Sequence, residues 1–219
     1  MLTAVIFDMD GVLIDSEPFW QRAQMAVFSE LGHPHTVEDC ESTIGVRIDQ
    51  LVAHWYRLRP WSGPSQEEVV QRILDRVNAL ILSEGQAKAG VLEALDLIEA
   101  QGLKIGLATS SPFAMVEAVL GKLGIRDRFL AVHSAEVERF GKPHPDVYIH
   151  AAEKLGVEPV HCLAIEDSFT GLLAAKAASM TALIVPDPAL VGDPRLAIAN
   201  HQLRSLTELD AQMLTSWVK

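Results

Sequence analysis

The pattern of apolar and polar positions divides the chain into two regimes. Short apolar runs without helical periodicity, such as Ala4–Phe7, Leu103–Ala108 and Cys162–Ile165, alternate with amphipathic helical patterns over much of the sequence. Such runs predict strands buried on both faces, and strands that alternate with helices predict a parallel sheet. The fold class is therefore α/β. Further elements are predicted as weaker strands around Phe129–Val132 and Leu183–Val185, and as a terminal helix near Leu209 to Val218.

The second regime is an uninterrupted helical pattern between the first and second predicted strands. It extends from residue 15 to about residue 88, and no strand is predicted within it. Ser65 and Glu68 have the spacing of a capping box ahead of an amphipathic helix. We therefore predict a core domain of residues 1–14 and 89–219, interrupted by a helical cap domain of residues 15–88.

Composition and charge narrow the classes of function. The 219 residues are 49% hydrophobic and 21% charged, which is typical of a soluble globular protein. A net charge of −11 argues against nucleic acid and against anionic membrane surfaces as partners. Cys40 and Cys162 lack metal-ligand spacing and cannot form a disulfide framework. No apolar run approaches a membrane span and no signal peptide is recognised, so we expect a cytoplasmic protein. Nothing in the sequence fixes the oligomeric state, and a monomer is the default expectation.

Reactive side chains follow the predicted strands. They are Asp8 and Asp10 after the first, Thr109 and Ser110 after the second, Lys142 in the loop beyond the third, and Glu166 and Asp167 after the fourth. The carboxyl ends of parallel strands share one edge of a sheet, where ligands bind. Crowded carboxylates call for a cation, and oxygen ligands beside an anionic substrate suit Mg²⁺. A hydroxyl, backbone N–H groups and a lysine match a phosphate, and an Asp can be a nucleophile. The residues predict Mg²⁺-dependent phosphoryl transfer to a carboxylate.

Four short motifs together resemble those of the haloacid dehalogenase superfamily. They are Asp8-Met9-Asp10-Gly11-Val12, then Thr109, then Lys142-Pro143, and finally Glu166-Asp167-Ser168 followed by Gly171. The resemblance covers the whole chain, because the helical insertion is similar to the first cap type of that family. It implies a Rossmann-like parallel-sheet core with an inserted α-helical cap domain.

The resemblance also implies a role for each residue of the motifs. Asp8 would be the nucleophile, and Asp10 the general acid and then the general base. Thr109 and Lys142 would hold the transferring phosphoryl group. Mg²⁺, with Mn²⁺ or Co²⁺ as substitutes, is the implied cofactor. Its expected ligands are Asp8, the backbone carbonyl of Asp10 and Asp167, with Glu166 as a direct or water-mediated partner.

Other segments resemble one branch of the superfamily, the bacterial hexose-phosphate and hexitol-phosphate phosphatases. These segments are Ile14–Pro18, Gly45–Asp49, and Trp55-Tyr56 with Pro60-Trp61. The implied partner is a small phosphorylated sugar. Hexose 6-phosphates, 2-deoxyglucose 6-phosphate and hexitol phosphates all stay open as substrates. The candidate substrate contacts are Ser110, Glu17, Trp20 and Arg47.

Three alternative functions share part of this pattern. A sugar-phosphate mutase of the β-phosphoglucomutase type is similar, but that branch typically has a histidine where this chain has Trp20. A dehalogenase attacks carbon with the same Asp, but it lacks the second acid that Asp10 supplies. A phospho-acceptor signalling domain also gathers acids, a hydroxyl and a lysine around Mg²⁺. However, it places its acceptor later in the sheet and has no comparable cap. Asp10 beside Asp8 therefore favours hydrolysis.

Overall fold

The computed structural model describes residues 2–217, and within them it shows the predicted α/β fold. Six strands form one parallel sheet in the order β3-β2-β1-β4-β5-β6. The strands are β1 (Ala4–Phe7), β2 (Lys104–Thr109), β3 (Ala131–Ser134), β4 (Cys162–Glu166), β5 (Thr181–Ile184) and β6 (His201–Gln202). Strand β6 was not predicted, because two residues carry no readable periodicity. The predicted β3 lies two residues too early, and the predicted β5 begins two residues and ends one residue too late.

The α-helices of the described residues alternate with the strands, except that the first five lie between β1 and β2. They are α1 (Glu17–Glu30), α2 (Val37–Glu41), α3 (Ile48–Leu58), α4 (Gln66–Glu84), α5 (Val91–Ala100), α6 (Phe113–Leu123), α7 (Asp146–Leu155), α8 (Phe169–Ala177) and α9 (Ala211–Trp217). Helix α9 corresponds to the predicted terminal helix, of which Val218 lies outside the described residues. Among residues 2–217, no helix combines the length and apolar character needed to cross a membrane.

The central strand β1 explains why its sequence does not alternate. All four of its residues are fully buried. Val5 and Phe7 contribute to the apolar core on one face of the sheet, and Ala4 and Ile6 to the core on the other. A parallel strand covered on both faces is apolar at every position.

The helical segment α1–α4 joins the rest of the chain through two adjacent crossings. The Lys88 N–H donates to the Leu13 carbonyl over 3.0 Å, and Ile14 forms an isolated bridge with Ala87. Entry and exit are thus paired backbone segments. Their position agrees with the predicted cap of residues 15–88, whose independence as a domain stays a prediction.

The start of α4 agrees with the pattern in the sequence, whereas the start of α6 does not. The capping box at the start of α4 is present, with Glu68 N–H donating to Ser65 Oγ over 3.2 Å and Ser65 N–H donating to Glu68 Oε2 over 2.7 Å. At α6, the sequence Ser111-Pro112 is typical of an N-cap followed by the first helical residue. Instead Pro112 is the N-cap, because the Ser111 hydroxyl bonds to a carboxylate of the site.

Candidate active site

A buried lysine joins the ends of three strands. Phe7 pairs with Leu107 on one side and Ile165 on the other, so the register places Asp8 beside Ala108 and Glu166. The Lys142 ammonium donates to Asp8 Oδ1 over 2.7 Å, to Glu166 Oε1 over 2.6 Å and to the Ala108 carbonyl over 3.1 Å. Burial lowers the pKa of Lys142, but the two carboxylates outweigh burial and raise it above its ordinary value. The lysine therefore presents a permanent positive charge.

Glu166 is fully buried and has hydrogen bonds on both oxygens. Besides the lysine, Oε1 accepts from Tyr148 Oη over 2.5 Å. Oε2 accepts from Ser168 Oγ over 3.2 Å and from the Asp167 N–H over 3.3 Å. Only glycine fits at position 171, because a Cβ there would lie 2.0 Å from Glu166 Oε1. Sequence reasoning missed Tyr148, because a tyrosine on the inner face of a helix reads as an ordinary core residue.

Three buried carboxylates meet at this edge and fit a hard cation. Asp8, Glu166 and Asp167 offer oxygens within 4.8 Å of one another. Burial raises the pKa of Asp8 to about 7. Burial, together with the charges of Asp8 and Glu166, raises the pKa of Asp167 well above its ordinary value. An additional cation would relieve this crowding, and an all-oxygen donor set suits Mg²⁺. Gly11 is necessary beside it, because a Cβ at this left-handed position would lie 1.7 Å from Asp167 Oδ2.

The carboxylate of Asp10 accepts three hydrogen bonds from other segments. Ser16 Oγ and Trp20 Nε1 donate to Oδ1 over 2.6 and 3.0 Å. Ser111 Oγ donates to Oδ2 over 2.6 Å. These donors fix the orientation of the side chain at the mouth of the site. Ser16 and Ser111 were missed as site residues, because a serine before a helix is typical of an N-cap.

Thr109 is the last residue of β2 and Ser110 follows it, so both lie at the same edge. Thr109 is fully buried, and its Oγ1 accepts from the Ser111 N–H over 3.1 Å. Ser110 Oγ donates to the Gly45 carbonyl over 3.4 Å, which connects the edge of the sheet to the helical segment.

A cavity that is partly open to solvent lies between the sheet edge and the helical segment. The core contributes Asp8, Asp10, Thr109, Ser110, Ser111, Pro112, Lys142, Asp167 and Ser168 to its lining. The helical segment contributes Glu17, Trp20, Gln24, Cys40, residues 43–46, Ile48 and Leu51. Among the predicted substrate contacts, Ser110, Glu17 and Trp20 thus reach the cavity. Burial, followed by the charges of Asp187 and Asp10, raises the pKa of Glu17 to about 8.

Arg47, the remaining predicted substrate contact, does not line the cavity. Its Nε and Nη2 donate to the Asp49 carboxylate over 2.7 and 2.8 Å. Its Nη1 donates to the carbonyls of Ala135 and Glu138 over 2.7 and 2.8 Å. The guanidinium therefore joins the helical segment to the loop after β3, and this position does not support a contact with substrate.

A second group with metal-ligand chemistry lies away from the cavity. His133, Glu138 and His150 bring one ligand atom each within 4.8 Å. The Glu138 Oε1 is hydrogen-bonded to His133 Nε2 and, over 2.6 Å, to His150 Nδ1. The three side chains bond to one another and fix the loop on which Arg47 docks.

Comparison with known proteins agrees with this geometry. Residues 2–179 match the family of haloacid dehalogenase-like hydrolases. Hexitol phosphatase B of Escherichia coli K12 is 47% identical over 214 residues, covering 97% of this chain and 96% of that protein. A fructose-1-phosphate phosphatase of the same organism is 32% identical, covering 83% of this chain and 95% of that protein.

Solved structures share the architecture. A variant of CbbY from Rhodobacter sphaeroides, in complex with xylulose-(1,5)bisphosphate, has a TM-score of 0.87 at 25% identity, covering 95% of this chain and 96% of that one. A β-phosphoglucomutase from Clostridium difficile has a TM-score of 0.84 at 25% identity, covering 99% and 96%. The predicted family is confirmed: the chain belongs to the haloacid dehalogenase-like hydrolases.

Proposed function

We propose that this protein is a Mg²⁺-dependent phosphatase that hydrolyses small sugar phosphates through an aspartyl-phosphate. The observation that carries the proposal is the pairing of two differently bound carboxylates. Asp8 bonds to the Lys142 ammonium inside an acidic cluster, whereas Asp10 is held by neutral donors at the cavity wall. Asp8 is arranged to meet a phosphoryl group. Asp10 is arranged to exchange a proton with an oxygen atom beside that group.

In the first step, an oxygen of Asp8 attacks phosphorus as the bond from phosphorus to the sugar oxygen breaks. Asp10 gives its proton to that departing oxygen, which leaves as the sugar hydroxyl. Lys142, together with the Thr109 hydroxyl, opposes the charge of the transferring group. A protonated Asp10 keeps acceptor sites for its three donors, two on Oδ1 and one on Oδ2, so the proton can point from Oδ2 toward the departing oxygen.

In the second step, Asp10 takes a proton from water as the water oxygen bonds to phosphorus. The bond between Asp8 and phosphorus breaks, which releases inorganic phosphate and restores the carboxylate. Asp8, Asp167 and the backbone carbonyl of Asp10 would hold Mg²⁺, which neutralises phosphate charge when bound. Both oxygens of Glu166 are engaged, so we assign it to orienting Lys142 and to reaching the metal through water.

The substrate class follows from the cavity and the relatives together. The lining carries carboxylate, amide, hydroxyl and indole groups on its helical side, which match a hydroxylated ligand. Hexitol phosphatase B is 47% identical across the chain. We therefore place hexitol phosphates, hexose 6-phosphates and 2-deoxyglucose 6-phosphate among the substrates.

The test is release of inorganic phosphate from sorbitol 6-phosphate, glucose 6-phosphate and 2-deoxyglucose 6-phosphate, with Mg²⁺ or with EDTA. We expect turnover with Mg²⁺ only, and none from Asp8→Asn. Asp75→Asn, which changes a carboxylate in α4 outside the cavity lining, is the matched control and should retain activity. Full activity in a folded Asp8→Asn protein would refute the mechanism.

A sugar-phosphate mutase is the second candidate, because a β-phosphoglucomutase shares the fold at a TM-score of 0.84. The position at which that branch typically has a histidine is occupied by Trp20, whose indole bonds to Asp10. Incubation with β-glucose 1-phosphate and a bisphosphate primer decides between the two. A phosphatase releases phosphate, whereas a mutase forms glucose 6-phosphate.

A further inference from the structure

Helix α1 turns three polar or amphipathic side chains toward the cavity. Glu17, Trp20 and Gln24 are spaced i, i+3 and i+7, which places them on one face of the helix. All three line the cavity. The Trp20 indole N–H is committed to Asp10, so Glu17 and Gln24 are left without a part in either chemical step.

Gln24 has a buried acceptor with no donor. Its residue surface is 3% exposed, yet within residues 2–217 its Oε1 has no hydrogen-bond partner. The same wall does not supply one. Ile48 and Leu51 are apolar, and the Thr43 hydroxyl donates to the Cys40 carbonyl over 3.0 Å. Because buried polar groups are nearly always hydrogen-bonded, an unpartnered acceptor on a side chain that lines the cavity indicates a donor supplied by the ligand.

The position of Gln24 along α1 indicates which part of the ligand it meets. It lies one turn beyond Trp20, about 6 Å along the axis at roughly 1.5 Å per residue. Trp20 contacts Asp10, the residue that serves the departing oxygen. Gln24 therefore faces atoms several bonds away from the bond that is cleaved.

The charges of the lining indicate what those atoms carry. Asp8, Asp10, Glu17 and Asp167 contribute carboxylates, and Lys142 is the cation of the described lining. Lys142 is bound at the sheet edge to the acidic cluster. The described lining offers no cation beside α1 to neutralise a second phosphate, whereas a hydroxyl donates readily to carboxyl and amide oxygens.

We propose that the α1 side of the cavity is a subsite for the uncharged, hydroxylated chain of a monophosphate. In this subsite Gln24 Oε1 accepts a hydrogen bond from a distal hydroxyl. The inference rests on the proposed phosphatase function and adds a residue that selects the length of the substrate.

The test of Gln24 compares sorbitol 6-phosphate with the shorter glycerol 3-phosphate, as a ratio of kcat/KM values. The ratio cancels losses that are common to both substrates. Gln24→Met keeps the shape of the side chain without its acceptor, and should lower the ratio about tenfold or more. Gln24→Glu keeps acceptor oxygens, and should hold the ratio within about threefold of wild type.

The charge of the subsite is tested with fructose 6-phosphate and fructose 1,6-bisphosphate, of which wild type should prefer the monophosphate. Equal kcat/KM values for the two would contradict an uncharged subsite. If wild type turns over sorbitol 6-phosphate and Gln24→Met keeps the wild-type ratio, the Gln24 assignment is wrong while the phosphatase proposal stands. If wild type releases no phosphate from any of these sugars, the proposed function itself is wrong.

Discussion

The indole N–H of Trp20 donates to Oδ1 of Asp10 over 3.0 Å, so a residue of the helical segment holds the proposed acid–base group of the core. Ser16 donates to the same oxygen. Two of the three donors to Asp10 thus precede or belong to α1, and a movement of that helix would change the orientation of Asp10. The segment that covers the cavity is thereby coupled to the proton-transfer step.

Replacing Trp20 with Phe tests this coupling, because the ring stays and the donor is lost. A hydrogen bond to a charged group contributes roughly 1.5–3 kcal/mol, so kcat for sorbitol 6-phosphate should fall about 10- to 100-fold. KM should change less. Steady-state kinetics over a range of pH values would show the loss and any accompanying change in the profile.

The matched control for this substitution is Trp55→Phe. Trp55 is buried in the same helical segment, its indole N–H has no partner within residues 2–217, and it does not line the cavity. The kcat of the Trp55→Phe protein should stay within about twofold of wild type. A wild-type kcat in Trp20→Phe would show that the indole bond does not serve catalysis.

The placement of the main reactive residues could be predicted because it follows from topology. Asp8 and Asp167 each follow a buried strand and Thr109 ends one, and parallel strands end at one edge. Residues whose role depends on packing could not be found this way. Ser111 reads as an N-cap until its hydroxyl is seen on Asp10, and Gln24 reads as a polar position within a helix.

Arg47 shows the opposite limit of sequence reasoning. A polar residue near the expected seam between cap and core has the right chemistry for an anionic substrate. Its direction is set by competing partners, here Asp49 and two backbone carbonyls. No local pattern in the sequence indicates which of these partners a long side chain selects.

Protons should compete with Mg²⁺ at the acidic cluster. Burial raises the pKa of Asp8 to about 7 in the metal-free protein, so at pH 8 the carboxylate is mostly ionised and at pH 6 mostly protonated. A bound cation requires the ionised form. Apparent affinity for Mg²⁺ should therefore fall about tenfold for each pH unit below 7.

Isothermal titration with MgCl₂ at pH 6 and pH 8 measures this dependence. Repeating the titration in buffers of different ionisation enthalpy counts the protons released, which should approach one or more at pH 6. Equal Mg²⁺ affinity at pH 6 and pH 8, with no proton release at either pH, would contradict the raised pKa of Asp8.

Two glycines in helices give a matched pair of substitutions. A Cβ at Gly171 in α8 would lie 2.0 Å from Glu166 Oε1, whereas a Cβ at Gly121 in α6 would meet no atom within 4 Å. Gly171→Ala should displace Glu166, and with it Lys142, so that Mg²⁺ affinity and kcat fall at least tenfold. Gly121→Ala should instead stabilise the fold by about 0.5–1 kcal/mol.

Thermal unfolding of both variants measures the effect of each substitution on the stability of the fold. Mg²⁺ titration measures its effect on the metal site. The comparison uses the same chemical change in the same type of element. Should Gly171→Ala bind Mg²⁺ as wild type does, the close packing of α8 against Glu166 would be irrelevant to the site.

Arg47 should control how firmly the helical segment docks. Arg47→Met keeps the stem but removes the donors to the Ala135 and Glu138 carbonyls. Looser docking should raise KM for sorbitol 6-phosphate about 5- to 20-fold, because the cavity wall is then less ordered before substrate binds. Arg22→Met removes an exposed ion pair with Glu84 inside the helical segment, and as the control it should change KM by less than about twofold.

Hydrogen exchange separates this role from direct contact with substrate. If Arg47 holds the segment to the core, Arg47→Met should speed amide exchange around residues 135–138 in the ligand-free protein. If Arg47 contacted only bound substrate, amide exchange in the ligand-free Arg47→Met protein would match wild type, while its KM would still rise. Wild-type exchange would therefore overturn the docking role and return Arg47 to the set of substrate contacts.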